Sequence, residues 1–411
     1  MKINTGINRT SLKENNLIQI VRCLHFQDDC TRVSLSRELG LTQAAITKLV
    51  NELISIGLVT ETSSIESGKG RHPIRLKLNG DRYQTLAGRI NRDYVSAGLY
   101  DLNGKMYAHL DEPLRPDMDV RKTTNRLKEM LRECMAAAHT RVIGAGLALP
   151  GPFDARHGRI TLMSGFPGWN SVDLRHEMME TLDLPVFLDQ DANCGALAEL
   201  WYGEHRNIRN MVYIVGDRGV GAGIILNGQI YKGESGFAGE LGHMSINCFG
   251  PRCECGNRGC LELYASTLAL EAEYQRSLFS MWQRGEGMSR TGQVSAPEIC
   301  RMVREGDRLA CMAYEKTASY LAFGAVGIVN TLNPEALIFS DKITAGGSFF
   351  LEAVRSTLKQ HLMPDIYNNL VVDTSKLQNT PAIGDPMLIG AGVLVLESLM
   401  ETSPQILLAL R

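Results

Sequence analysis

Cys253-Glu-Cys-Gly-Asn-Arg-Gly-Cys-Leu-Glu262, with His243 ten residues ahead of its first cysteine, is the stretch on which the reading of this chain turns. Three thiols fall within eight residues, while the other seven of the ten cysteines are scattered singly. Such crowding in a long chain reads as metal ligation rather than as a disulfide scaffold. His243, Cys253, Cys255 and Cys260 supply one imidazole and three thiolates, the tetrahedral set that Zn2+ favours in closed structural sites. Gly256 and Gly259 permit the tight turns that wrap such a loop around one ion. One structural zinc per chain is expected. Cys248 falls outside the pattern.

The bulk properties bound what surrounds this loop. A chain of 411 residues exceeds the size at which a single hydrophobic core stops growing, so two or three domains are expected. Hydrophobic residues make up 44% and charged residues 21%, ordinary for a globular protein. No apolar run approaches the ~20 residues that span a bilayer. Met1–Thr10 is polar and lacks the apolar core of a secretory signal, so a cytoplasmic address is expected. The net charge of -2 is unevenly spread: residues 1–80 carry eleven Lys/Arg against seven Asp/Glu, a balance of +4 that leaves -6 for the rest. A basic head on an acidic body suits a nucleic-acid-binding head.

That head has an internal pattern. Leu17, Ile18, Val21 and Leu24 form a helical stripe within 15–25. Val33-Ser-Leu-Ser-Arg-Glu-Leu39 is a short second helix closed by Gly40, and Thr42 caps a third whose core face is Ile46, Leu49, Val50 and Leu53. Two short helices joined by a glycine-containing turn are a helix-turn-helix. The opposite face of the third helix carries Gln43, Ala44, Thr47, Lys48 and Asn51. Gln and Asn pair with adenine edges, Thr and Ala touch thymine methyls, and Lys neutralises phosphate. Gly57-Leu-Val-Thr-Glu61 and Ile74-Arg-Leu-Lys-Leu78 are read as paired strands, a wing. Between them Gly68-Lys-Gly-Arg-His-Pro73 offers Lys69 and Arg71 to a narrow, A·T-rich minor groove.

Beyond Asp81 strands alternate with helices, which implies α/β lobes. Residues 86–102 read as two strands meeting at a turn, closing on Asp101-Leu-Asn-Gly104. Val142–Leu149 runs into Pro150-Gly151-Pro152; Val186-Phe-Leu188 delivers Asp189-Gln-Asp-Ala-Asn193; Val212–Val215 runs into Gly219-Val-Gly-Ala-Gly223. Ligands of α/β sheets tend to sit at such strand ends.

Taken together, these motifs resemble the ROK family (repressors, open reading frames and sugar kinases), and its repressor branch in particular. The resemblance rests on Leu149-Pro-Gly-Pro152, Phe166-Pro-Gly-Trp-Asn170, Asp191-Ala-Asn193, Gly219–Gly223, Ala238-Gly-Glu-Leu-Gly-His243, the Cys253–Glu262 loop and Asn333-Pro334, in family order. It implies a winged helix-turn-helix at 1–80 followed by a two-lobed, actin-like sugar-kinase fold. One lobe is expected over 81–190 with a returning C-terminal helix at 388–411, and the other over 191–387.

A sugar presents vicinal hydroxyls, which carboxylates accept from in bidentate fashion while an amide or imidazole donates. Asp191, Glu240, His243 and Glu262 are the candidates, with Asn170 and Gln190 as amide partners. Glu240 stands three residues before His243 and Glu262 two after Cys260, so metal ligation would order both. The resemblance implies sugar contact at these positions and makes Asp191 the counterpart of the kinases' general base. Gln190 departs from the kinases' usual asparagine.

Phosphoryl transfer needs a cradle for nucleotide phosphates. The family's kinases build it on an Asp-x-Gly-Gly-Thr turn, and the matching stretch here is Arg89-Ile-Asn-Arg-Asp93. Asp217-Arg218 stands where they place Gly-Thr, and Ser340-Asp341 replaces their paired glycines after Leu337-Ile-Phe339. A sugar-responsive repressor of uptake or catabolism genes is therefore expected, with an ATP-dependent sugar kinase as the rival. A homodimer or dimer of dimers on a pseudo-palindromic double-stranded operator follows from half-site reading. Effector control passes through a bound sugar or through a sugar-transport protein. Leu394–Leu410 is read as core or oligomer interface rather than a membrane anchor.

Overall fold

The structure is a computed structural model and describes residues 9–27, 29–62, 74–115, 118–154, 159–161, 168–284, 292–380 and 384–402. The chain opens with α1 (Arg9–Phe26), α2 (Arg32–Leu39) and α3 (Gln43–Ser55), followed by β1 (Val59–Thr62) and β2 (Arg75–Leu78). The stripe Leu17, Ile18, Val21 and Leu24 is buried against Leu35, Ile46, Leu49, Val50 and Leu53. Helix α1 begins well before that stripe, since apolar periodicity does not register a polar first turn. Thr31 caps α2 in a reciprocal box with Ser34, Gly40 ends it in the left-handed region at φ 65°, and Thr42 caps α3. Strands β1 and β2 pair antiparallel from Val59↔Leu78 to Thr62↔Arg75, and the Leu76 amide donates to the Cys30 carbonyl, stitching the hairpin to the helices.

Two five-stranded sheets follow, built to one plan. The first draws on β3 (Tyr83–Ile90), β4 (Tyr94–Asp101), β5 (Met106–Pro113), α4 (Val120–Ala136) and β6 (Arg141–Leu149). After the short hairpin β7 (Phe153–Asp154) and β8 (Arg159–Ile160) come α5 (Leu174–Leu182), β9 (Val186–Gln190) and α6 (Asp191–Tyr202). Its strand order is β5-β4-β3-β6-β9. The expected pair over 86–102 is thus β3 and β4, and the Asp101–Gly104 turn leads into a third strand, whose mixed polarity conceals it in the sequence.

The second sheet begins with β10 (Met211–Gly216), β11 (Val220–Leu226) and β12 (Gln229–Ile230). Helices α7 (Glu262–Ala265), α8 (Thr267–Gln283), α9 (Ala296–Arg304) and α10 (Arg308–Leu332) lead to β13 (Ala336–Ser340). Helices α11 (Ser348–His361) and α12 (Pro364–Asn368) lead to β14 (Val371–Thr374), and α13 (Pro386–Thr402) closes the chain. The order β12-β11-β10-β13-β14 repeats that of the first sheet, and in both the first three strands are antiparallel and the last two parallel. This duplication is the two-lobed, actin-like architecture.

Helices α6 and α13 lie side by side across the first sheet, so close that a Cβ on Gly390 would stand 1.8 Å from the Cys194 carbonyl oxygen. Helix α6 also packs on β10 and β11 and joins the two lobes. No described helix is long and apolar enough to cross a membrane.

Candidate functional site

A cleft opens between the sheets. Its walls are strand ends and turns: Asn91 and Arg92 after β3, Gly151 after β6, Gln190 and Asp191 where β9 becomes α6, Asp217–Gly219 between β10 and β11 with Val220 and Gly221 opening β11, and Asp341 after β13. Glu240, His243 and Glu262 close its far end. Five of the six residues expected to touch a sugar therefore face one cavity. Asn170 instead lies exposed in the turn 169–171 and is not among the lining residues.

The polar end is prearranged. Gln190 Nε2 donates to Glu240 Oε1 at 2.8 Å, which leaves Glu240 Oε2 4.0 Å from His243 Nε2. Burial pushes the Glu240 carboxyl up to about 7, with the nearby Asp191 and Glu262 adding to the effect and the Gln190 hydrogen bond opposing it. Near neutrality this carboxyl can either donate to or accept from a hydroxyl. Burial also raises Asp191, against the pull of Arg89 and the Ala192 amide.

Behind that end, one donor atom each from His243, Cys253, Cys255 and Cys260 lies within 4.8 Å of the other three. His243 Nδ1 is 3.8 Å from Cys253 Sγ, and Cys255 and Cys260 Sγ are 3.7 Å apart. Gly256 and Gly259 take φ of 94° and 64°, and a Cβ on Gly259 would meet the Asn247 carbonyl oxygen at 1.8 Å. No disulfide joins these cysteines. Three soft thiols converging on an imidazole fit a metal ion, so the four residues can hold one. His243 presents Nδ1 to the thiols and Nε2 to Glu240, so a single imidazole can face both the metal and the cleft.

The opposite end is where the sequence analysis places altered phosphate turns. Arg89 is 2% exposed and pairs with Asp385 at 2.7 Å and Asp341 at 3.4 Å, with Asp191 at 3.8 Å. Its Nη1 also donates to the Tyr94 hydroxyl, among a set of acids that outweighs burial and holds its charge firmly. Asp93, standing for the kinases' threonine, accepts from Lys342 at 2.6 Å and Arg218 at 3.0 Å. Lys342 also meets Asp217 at 3.0 Å. Asp341 sits at φ 72°, ψ -166°, a region glycine occupies and other residues enter only under strain of about 1–3 kcal/mol. It is held there by Arg89 and by Gln378, whose Oε1 accepts from the Asp341 amide at 3.0 Å. Asp385 and Tyr94 belong to this cluster although no local sequence motif marks them. Asp385 precedes α13 and serves as its cap, Oδ1 accepting from the Met387 amide at 2.9 Å while Oδ2 takes Arg89.

On the head, Gln43, Ala44, Thr47, Lys48 and Asn51 are all exposed along one face of α3. Asn51 Oδ1 accepts from Arg32 Nη2 at 3.1 Å, and Arg32 also pairs with Glu61 at 2.7 Å. Lys69 and Arg71 lie outside the described residues.

Comparison with known proteins agrees with this construction. A xylose repressor of Bacillus spizizenii is 30% identical, over 92% of this chain and 95% of the repressor. The crystal structure of a ROK family transcriptional regulator, a homolog of the E. coli MLC protein, superposes with a TM-score of 0.78 at 28% identity, over 95% of this chain and 100% of that one. A ROK hexokinase from Thermus thermophilus aligns over 77% of this chain and 99% of its own, with a TM-score of 0.62 and 25% identity. The ROK family model itself matches residues 86–391, and this chain belongs to the ROK family.

Proposed function

We propose that this chain is a DNA-binding transcriptional regulator, a repressor of sugar uptake or catabolism genes, whose DNA affinity is set by a sugar bound in the cleft. The head, residues 1–80, reads an operator through Gln43, Ala44, Thr47, Lys48 and Asn51 on α3, with Lys69 and Arg71 from the wing. Residues 81–190 with the returning C-terminal helix, and 191–387, are the two lobes. Gln190, Asp191, Glu240, His243 and Glu262 hold the sugar's hydroxyls. His243, Cys253, Cys255 and Cys260 hold one zinc ion, which supplies a structural crosslink and no chemistry. A homodimer on a pseudo-palindromic site is the working form, in the cytoplasm.

The observation that carries this reading is a pair of helices with one end at the cleft and the other on the head. Asp191 lines the cleft and begins α6, while Trp201 and Tyr202 at its other end contact His25 of α1, with ring centroids 4.3 and 5.6 Å away. Asp385, paired with Arg89, precedes α13, and Glu397 further along it binds Arg22 of α1. Lobe movement around a sugar therefore displaces the surface on which the head rests. The xylose repressor and the ROK regulator support the same reading. Against catalysis stands Arg89: its side chain and the acids it gathers fill space a nucleotide's phosphates require, and a general base at Asp191 has no donor to act with.

Selection of DNA fragments by the full-length protein, with and without candidate sugars, tests the proposal. Recovery of one palindromic sequence whose retention changes with one sugar is expected. Sugar-dependent release of ADP from ATP, abolished by Asp191→Asn and unaccompanied by DNA selection, would establish the kinase instead.

A further inference from the structure

Four cations crowd the corner of the cleft where phosphate turns would lie: Arg89, Arg92, Arg218 and Lys342. Three of them are matched by acids. Arg89 has Asp385 and Asp341, Arg218 has Asp93, and Lys342 has Asp93 and Asp217. Arg92 lines the cleft and has no hydrogen bond or ion pair among the described residues; its Nε is buried without a partner.

The position of Arg92 is constrained rather than incidental. Its guanidinium lies against Gly219, so close that a Cβ there would stand 2.8 Å from Nη1. The missing side chain of Gly219 is what gives the head of Arg92 its place on the cleft wall. Arg92 is also near enough to Asp191 to draw that carboxyl downward in pKa. Beside it Asn91 lines the same cleft, its Oδ1 engaged by the Asp93 amide at 3.1 Å, which leaves the Nδ2 donor uncommitted.

A solvated surface arginine without a partner is unremarkable. A half-buried one, in a cavity whose far wall is prearranged for hydroxyls, is a different case, because its donors stay unpaired and only the longer-range pull of Asp191 offsets its desolvation until something binds. The planar guanidinium fork matches the two oxygens of a carboxylate or phosphate. Glu240 and Glu262 line the same cavity, and Asp191 is near both Glu240 and the cations Arg89 and Arg92.

We infer that the sugar this cleft takes is itself anionic, carrying a phosphate ester or a carboxylate. Arg92, with Asn91, receives that group while Asp191, Glu240, His243 and Glu262 receive the hydroxyls. The inference rests on the sugar-sensing reading and adds the charge of the ligand to it. The shared chemistry is a pair of anionic oxygens on a polyol ring, and sugar phosphates and uronic acids are its two sources.

Calorimetric titration of the full-length, metal-replete protein decides it. The probes are D-glucose and D-xylose as neutral ligands; glucose 1-phosphate, glucose 6-phosphate, D-glucuronate and D-galacturonate as anionic ones; and inorganic phosphate alone. At least one anionic sugar is expected to bind about 10- to 100-fold tighter than its neutral parent, the ratio a charge-assisted bidentate contact supplies. The phosphates and uronates, compared with each other, identify the source. Arg92→Gln should bring that anionic-to-neutral ratio to within about threefold, and Arg92→Lys should restore part of it. Thermal unfolding of both variants near the native midpoint would show that the fold is kept. Neutral sugars binding as well as every anionic one, or a preference that survives Arg92→Gln, would overturn the inference and leave the sugar sensor standing. Inorganic phosphate that binds without affecting glucose would also overturn it, by making the anion a separate ligand. If no sugar of either kind binds, the sensor reading falls and this one falls with it.

Discussion

Arg22, in the first helix of the head, is bound to Glu397, in the last helix of the body. Its Nε donates to Glu397 Oε1 at 3.2 Å, and its Nη2 is in close contact with Oε2. Trp201 Nε1 donates to the same Oε1 at 2.9 Å, and both charged side chains are nearly sealed from solvent. A surface ion pair would hold the head weakly. A buried one specifies its orientation, because removing either member strands a charge in a low-dielectric setting.

Glu397→Gln should therefore cost about 3–5 kcal/mol and register as early, separate melting of the head. Arg22→Met combined with Glu397→Leu should recover most of the loss, since a matched apolar pair strands no charge. Denaturant unfolding followed at Trp201 reads both. The double variant also tests coupling: a head released from Glu397 should bind operator with less dependence on sugar.

This pair marks the limit of what is legible in the sequence. Local patterns expose each element separately: the Thr31 and Thr42 caps, Gly40, and the buried stripe of α3 are written within a few residues of one another. The candidate metal loop is legible for the same reason, its histidine and three cysteines lying within eighteen residues. Arg22 and Glu397 are 375 positions apart, and Arg89 and Asp385 are 296 apart. Nothing in either neighbourhood announces the partner. A buried arginine requires acids, but which acids is settled by how α13 returns across the first sheet.

Arg89 bears on the proposed absence of catalysis. Replacing it with methionine brings Asp385, Asp341 and Asp191 together without their shared cation, and each carboxylate then raises the others. The expected result is destabilisation of about 3–5 kcal/mol. Unfolding should become easier as pH rises from 5 to 8, because the stranded acids ionise. ATP turnover should stay absent in Arg89→Met and in Arg89→Asp, since Asp93, Asp217 and Asp341 still occupy the phosphate corner. A coupled ADP assay with a sugar panel checks this.

Metal analysis of the purified chain should give about one zinc equivalent, and Cys255→Ser should lower it. Because Glu240 and Glu262 both approach His243, chelation should weaken sugar binding by about 10- to 100-fold, the penalty usual when a metal's neighbours lose their order. Loss of metal with unchanged sugar affinity would separate the two sites.

His25 gives the head contact a pH dependence. It is largely buried, in contact with the Trp201 carbonyl, and burial lowers its pKa below the ordinary value of 6.5. A histidine whose folded pKa is depressed contributes stability that is present above about 6.5 and lost as pH falls through the folded value. Acidification from 7.5 toward 5 should loosen the head. Comparing the melting midpoint of the native protein with that of His25→Gln across this range checks it: the variant's curve should be the flatter one.

The exposed face of α3 separates affinity from sequence preference. Gln43 is exposed at the start of the helix and suited to an adenine edge, so Gln43→Ala should relax preference at one base pair per half-site, at about 1–3 kcal/mol. Lys48 is a phosphate contact in this reading. Lys48→Ala should weaken binding to all sequences alike and reduce the salt slope by about one. Asn51 is tied to Arg32 and must release it to read a base, so Asn51→Ala should cost less than Gln43→Ala. Binding measured against a library of operator variants at two salt concentrations distinguishes the three. Equal loss of preference in Lys48→Ala and Gln43→Ala would mean that α3 does not lie in the groove with Gln43 toward the bases, and the reading face would have to be sought elsewhere on the head.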